Sequence, residues 1–176
     1  MSEAGKKQTE GETTISENRA LSGVPVMERE VTALLEEISS CPETAAVAVG
    51  GSRATGKADK KSDYDIYVYV EMEIAKERRK SILEKYCGVM EIGNHYWESE
   101  DNCTLNNGVD IDIIYRKLQD FEGDVAAVVE QSRASNGYTT CMWHNLVTCR
   151  ILYDRDGSRY NRGEGLQVLL EESIQI

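Results

Sequence analysis

Residues 44–70 read Thr-Ala-Ala-Val-Ala-Val-Gly-Gly-Ser-Arg-Ala-Thr-Gly-Lys-Ala-Asp-Lys-Lys-Ser-Asp-Tyr-Asp-Ile-Tyr-Val-Tyr-Val. Ala45–Val49 is a short apolar run that ends in Gly50-Gly51-Ser52. A polar loop follows, and Asp63-Tyr64-Asp65 opens a second run, Ile66–Val70. Both runs are rich in β-branched or aromatic residues and bounded by turn formers, which predicts two strands. The glycines let backbone approach a ligand closely, and successive N–H groups in such a turn can cradle phosphate oxygens. Side chains alternate along a strand, so Asp63 and Asp65 point to the same side. Two carboxylates aimed at one point repel each other. A divalent cation between them relieves the repulsion, and Mg²⁺ favours carboxylate oxygens together with substrate phosphates.

Gly51-Ser52, the ten-residue stretch 53–62 and then Asp63-Tyr64-Asp65 resemble the active-site motif of the DNA polymerase beta-like nucleotidyltransferase superfamily. The resemblance implies a third carboxylate on a later strand. Asp112, within Gly108-Val109-Asp110-Ile111-Asp112-Ile113-Ile114-Tyr115-Arg116, is its candidate, and Asp110 then reads as a strand-entry acid or a helper to the base. It further implies that Asp63, Asp65 and Asp112 hold two Mg²⁺ ions. Gly50, Gly51 and Ser52 would grip the phosphates of a nucleoside triphosphate, with ATP the default donor. A nucleoside monophosphate would pass to an acceptor hydroxyl. For Arg53 two readings stand side by side, a group facing the triphosphate and an exposed arginine.

A second pattern overlaps the first. Gly51 to Lys57 matches the opening of a phosphate-binding P-loop. Position 58 is alanine, so the Mg²⁺-binding hydroxyl of that motif is missing, and residues 58–65 feed a strand rather than a helix. Lys57 is accordingly read as an exposed loop lysine. His95 and His144 stand alone, without partners at zinc spacing.

Around this centre, residues 1–23 form a polar leader without apolar periodicity, expected to be disordered. Met27, Val31, Leu34, Leu35 and Ile38 recur at helical spacing over 26–40. A charged helix is expected near 73–86, stopping at Gly88. One strand falls within 89–99, where Tyr96 and Trp97 read as core or pocket wall. Asp101–Gly108, dense in Asp and Asn, reads as a turn, and Val109–Tyr115 as a strand in a hairpin with its predecessor. Further helices are expected around Leu118–Val129, around Met142–Val147 and over 165–172, and Asp154–Gly157 is a turn. The expected class is α/β in the broad sense, more narrowly α+β: a mixed, mostly antiparallel sheet flanked by helices, compatible with a palm-like nucleotidyltransferase core. Residues 24–155 would form that domain and 156–176 a short C-terminal tail.

The formal charge of −11 disfavours bulk nucleic acid as a partner, because phosphates seek basic surfaces. Five cysteines without a C-x-x-C pair, no signal peptide and no long apolar run predict a reduced cytoplasmic protein with no membrane partner. The resemblance is strongest to bacterial stand-alone nucleotidyltransferase-domain proteins and antibiotic nucleotidyltransferases. It leaves three readings: an enzyme acting on a small hydroxylated, aminoglycoside-like molecule; a protein-adenylylating enzyme of the antitoxin type; and a non-catalytic nucleotide-binding module. The intact Gly-Ser turn and three acids disfavour the last. Bacterial and antibiotic relatives of that kind often continue into a helical region that helps form the acceptor pocket, whereas this sequence ends about twenty residues after Tyr153-Asp154; a homodimer partner that completes the acceptor site is the corresponding expectation.

Overall fold

Val31, Leu34, Leu35 and Ile38 all lie on one face of α1 (Arg29–Ser39) and are all buried. Each such side chain contributes about 1.5–3 kcal/mol by leaving water. The helix packs on β1 (Thr44–Val49), and Thr44 Oγ1 donates to the Ile38 carbonyl at 2.8 Å, tying the two together. The computed structural model describes residues 27–95, 98–121 and 148–156.

After β1 come the single turn of helix α2 (Gly51–Ala54), β2 (Tyr64–Val70), α3 (Lys76–Leu83), β3 (Cys87–Asn94), β4 (Ser99–Leu105), β5 (Asp110–Lys117) and β6 (Arg150–Asp154). The strands form one six-stranded sheet in the order β3-β4-β5-β2-β1-β6. Among the described strands only the central pair β2–β5 is parallel, and the other pairs are antiparallel. This is the expected mixed, mostly antiparallel α+β sheet.

The period-2 rule divides the sheet into two faces. Val47, Val49, Ile66, Val68, Ile111 and Ile113 belong to the core built with Leu34, Ile38, Ile82 and Leu83 of the helices. The opposite face carries Asp65, Tyr67 and Tyr69 on β2 and Asp112 on β5. There the cross-strand partners of Tyr67 and Tyr69 are Ala48 and Ala46, small beside large. Both faces of β1 are therefore buried, which explains the unbroken apolar run Ala45–Val49.

Two expectations need correction. Asp101–Gly108 is not a turn: Asp101 to Leu105 lie in β4, and only the segment 106–109 reverses the chain into β5. The polar residues that suggested a turn are paired across the sheet. Buried Asp101 accepts from Arg79 Nη1 at 2.9 Å and from the Gly93 N–H at 2.8 Å. The strand expected within 89–99 is β3, which starts two residues earlier at Cys87, and β4 begins at the last residue of that span. The second correction is β6, which was not anticipated; it pairs with β1 from about a hundred positions away, a relation that local periodicity cannot carry. A helical turn over 118–121 begins the expected segment after β5. The leader 1–23, Tyr96, Trp97, the rest of the helices expected beyond 121 and the tail lie outside the described residues.

Candidate active site

The parallel pairing of β2 with β5 sets Asp65 directly opposite Asp112, and Asp63 precedes β2 by one residue on the same side as Asp65. One carboxylate oxygen from each of Asp63, Asp65 and Asp112 lies within 4.8 Å of the others. Asp63 is exposed and the other two are half-buried. Burial, followed by the charges of Asp63 and Asp112, pushes the Asp65 carboxyl above the usual carboxylate range. The donor set is all carboxylate, hard oxygen without thiol or imidazole. Together with that crowding, it fits a divalent cation of the Mg²⁺ type.

Gly50 and Gly51 make this convergence possible. A Cβ at Gly51 would lie 1.9 Å from Asp65 Oδ2, and its φ of +60° is one that L side chains rarely adopt. A Cβ at Gly50 would lie 2.6 Å from the Tyr67 ring. The Gly50 N–H donates to the Asp65 carbonyl at 2.8 Å, so the turn is anchored to the strand that it faces. Ser52 and Arg53 follow within α2.

The Arg53 side chain folds back onto the loop that it precedes. Its Nε donates to the Asp63 carbonyl at 2.9 Å and the Ser62 carbonyl at 3.1 Å, and its Nη2 also donates to the latter. The guanidinium lies 3.6 Å from the centre of the Tyr64 ring. Asp59 organises the same loop. Its Oδ1 accepts from the Lys61 N–H at 2.8 Å and the Ser62 hydroxyl at 3.0 Å, bonds that hold its carboxyl below the usual range. The chain enters no helix after Gly56, and Lys57 is exposed, unlike a P-loop.

Asp110 stands apart from the three carboxylates, exposed and accepting from Thr104 Oγ1 at 2.7 Å. Asp112 Oδ1 accepts from Asn102 Nδ2 of β4 at 2.8 Å. Asn102 was hidden in the sequence by the turn reading of its surroundings. The alternation of Glu98, Glu100, Asn102 and Thr104 with Asp101, Cys103 and Leu105 is the signal that points to a strand with one polar face. Burial, with the charges of Asp112 and Glu98, raises the carboxyl of Glu100 on that face. His95 is exposed, and His144 lies outside the described residues. Among the described residues no helix is long and apolar enough to cross a membrane.

A family model described as a nucleotidyltransferase domain matches residues 31–133, which span β1 to β5 and all three carboxylates. Comparison with curated proteins finds no match. Among solved structures, the apo form of a CCA-adding enzyme is similar at 21% identity and TM-score 0.37, over 57% of this chain and 22% of that one. A cytoplasmic RNA terminal U-transferase is similar at 18% identity and TM-score 0.38, over 58% of this chain and 31% of that one. The poly(U) polymerase Cid1 is similar at 14% identity and TM-score 0.38, over 67% and 36%. This chain thus spans about a third or less of the first two. With the family model covering more than half of its residues, the chain belongs to the nucleotidyltransferase domain family.

Proposed function

We propose that this chain moves a nucleoside monophosphate, AMP from ATP by default, onto a hydroxyl of a small hydroxylated molecule of the aminoglycoside type. The observation that carries the reading is the meeting of Asp63, Asp65 and Asp112 within 4.8 Å beside the Gly50-Gly51-Ser52 turn. In the proposed reaction the acceptor oxygen forms a bond to the α-phosphorus. The bond from that phosphorus to the bridging oxygen breaks, and pyrophosphate leaves. The acceptor proton passes to Asp112 and on to water.

Asp63, Asp65 and Asp112 would hold Mg²⁺, two ions in the fullest version of the reading. When bound, the metal supplies neutralisation of charge on the phosphates and the attacking oxygen. The chain's own groups do the positioning. Gly51 and Ser52 would face the phosphates with backbone N–H groups, Gly50 would hold the turn in place through its own N–H to the Asp65 carbonyl, and Arg53 keeps Asp63 aimed by holding its carbonyl. The formal charge of −11 favours a cationic or neutral acceptor over RNA.

The test is incubation with Mg²⁺, ATP labelled at the α- or the γ-phosphate, and a panel of aminoglycosides, other hydroxylated small molecules and cell proteins. The expected result is α-label on a small molecule and γ-label in pyrophosphate. Transfer of the γ-label with release of ADP would overturn the reading. Label on a protein would replace the small-molecule acceptor with the adenylylating alternative.

A further inference from the structure

Asn102 donates from Nδ2 to Asp112 Oδ1 at 2.8 Å and accepts at Oδ1 from Asn94 Nδ2 at 2.7 Å. Asn94 also donates from Nδ2 to Glu91 Oε2 at 3.2 Å. The three bonds form a line across β3, β4 and β5 that ends on the third carboxylate. Every amide in it has a fixed sense. Glu91 accepts only, Asn94 turns both amide hydrogens outward, and Asn102 must therefore present its NH₂ to Asp112.

The line depends on a backbone irregularity. Glu91 and Asn94 are three residues apart, and a regular strand would send them to opposite faces. The pairing of β3 with β4 shifts register between Ile92 and Asn94, and Gly93 there has a φ of +77°. Such a bulge re-aims a side chain. Here it turns Asn94 onto the face of Glu91 and Asn102. The bulge is pinned from the other face, where the Gly93 N–H donates to buried Asp101, itself paired with buried Arg79.

We infer that Asn102 is a positioning residue for the third carboxylate, aimed in turn by Asn94 at the Gly93 bulge. With Oδ1 held by Asn102, Asp112 would turn its other oxygen toward the cation and the acceptor, and rotating the carboxylate away would break that hydrogen bond. This inference rests on the nucleotidyltransferase reading of the carboxylate cluster and adds to it the residues that orient one member. Partners of this kind around a metal ligand typically govern metal affinity or activity by about 10–100-fold.

The test uses the full chain, Mn²⁺ as a spectroscopic probe, and a nucleotide analogue that cannot be cleaved between the α- and β-phosphates. Asn102→Leu, close to asparagine in shape and compatible with a strand, is expected to weaken Mn²⁺ binding about 10–100-fold. It should lower kcat without a matching rise in the KM for acceptor, and leave the metal-free melting temperature nearly unchanged. Asn94→Ala should weaken binding less. In the double variant it should add nothing, because Asn94 acts through Asn102. Wild-type Mn²⁺ affinity in Asn102→Leu, or independent effects in the double variant, would overturn the inference while leaving the proposed function standing. Absence of Mn²⁺–nucleotide binding by the wild-type chain would overturn both.

Discussion

Gly51 carries two constraints at once, a positive φ and the lack of any room for a Cβ beside Asp65 Oδ2. Gly51→Ala must push Asp65 out of the cluster or deform the turn. We expect a folded but less stable protein whose turnover falls by about 100-fold or more, the scale at which metal charge stabilisation operates. Steady-state kinetics beside a thermal melt would show it, and wild-type turnover would refute it. The glycine pair was legible in the sequence as the mark of a site, but on the ground of phosphate approach. The structure adds a reason that a one-dimensional reading cannot supply, since Asp65 and Tyr67 touch the turn only after β2 has folded back along β1. Asp65 leads to a second expectation. Its folded-state carboxyl titrates above the usual value, so its contribution to stability is full below the unfolded value and is lost as pH rises through the raised one. At neutral pH the ionised group is a cost. Asp65→Asn should therefore raise the melting temperature of the metal-free protein at pH 7, and the gain should shrink as the pH is lowered through the acid range. A variant less stable than wild type at pH 7 would contradict the crowding argument.

At the scale of elements, the loop from α2 to β2 is built as a unit that presents Asp63. Arg53 holds the carbonyls of Ser62 and Asp63 and covers Tyr64, while Asp59 closes the turn before them. Arg53→Ala should cost about tenfold or more in kcat with little change in the KM for nucleotide, because a positioning group acts on geometry. Arg53→Lys should rescue little, since an ammonium has neither the fork that spans two carbonyls nor the plane that stacks on the ring. A rise in nucleotide KM that lysine corrects would instead place Arg53 on the phosphates. Among elements, α1 was legible from its helical period, β1 and β2 from short β-rich runs bounded by turn formers, and β5 from its alternation. The polar strand β4 was not. Asp101 and Asn102 take their hydrogen-bond partners, Arg79, Gly93, Asn94 and Asp112, from other elements, and without them the same residues read as turn formers. The positioning role inferred for Asn102 was out of reach for the same reason.

At the scale of the molecule, the sheet order brings together acids that the chain keeps far apart. Asp65 and Asp112 are separated by α3, β3 and β4, yet the parallel register sets them side by side. Their identity as a set was readable from the family pattern, whereas their register was not, because it depends on how the intervening segment returns β5 to the edge of β2. The strand β6 closes the other side of β1 by a pairing of still longer range. An assembly of this kind concentrates like charge at one end of β2, and a cation should stabilise the whole fold by relieving it. Ligand that binds only the native state adds RT ln(1 + [L]/Kd), about 2.7 kcal/mol at a hundred times Kd. We therefore expect millimolar Mg²⁺ with a nucleoside triphosphate to raise the melting temperature of the wild-type chain. The shift should be largely lost in Asp63→Asn, Asp65→Asn and Asp112→Asn. It should persist in Lys57→Ala, since that side chain is exposed on a loop that enters no helix. Turnover should follow the same order, with Asp112→Asn inactive beside a working Lys57→Ala. A melt indifferent to metal and nucleotide would count against the carboxylate cluster as a cation site. A dead Lys57 variant beside an active Asp112 variant would move the phosphate site from the Gly51-Ser52 turn to the loop after α2.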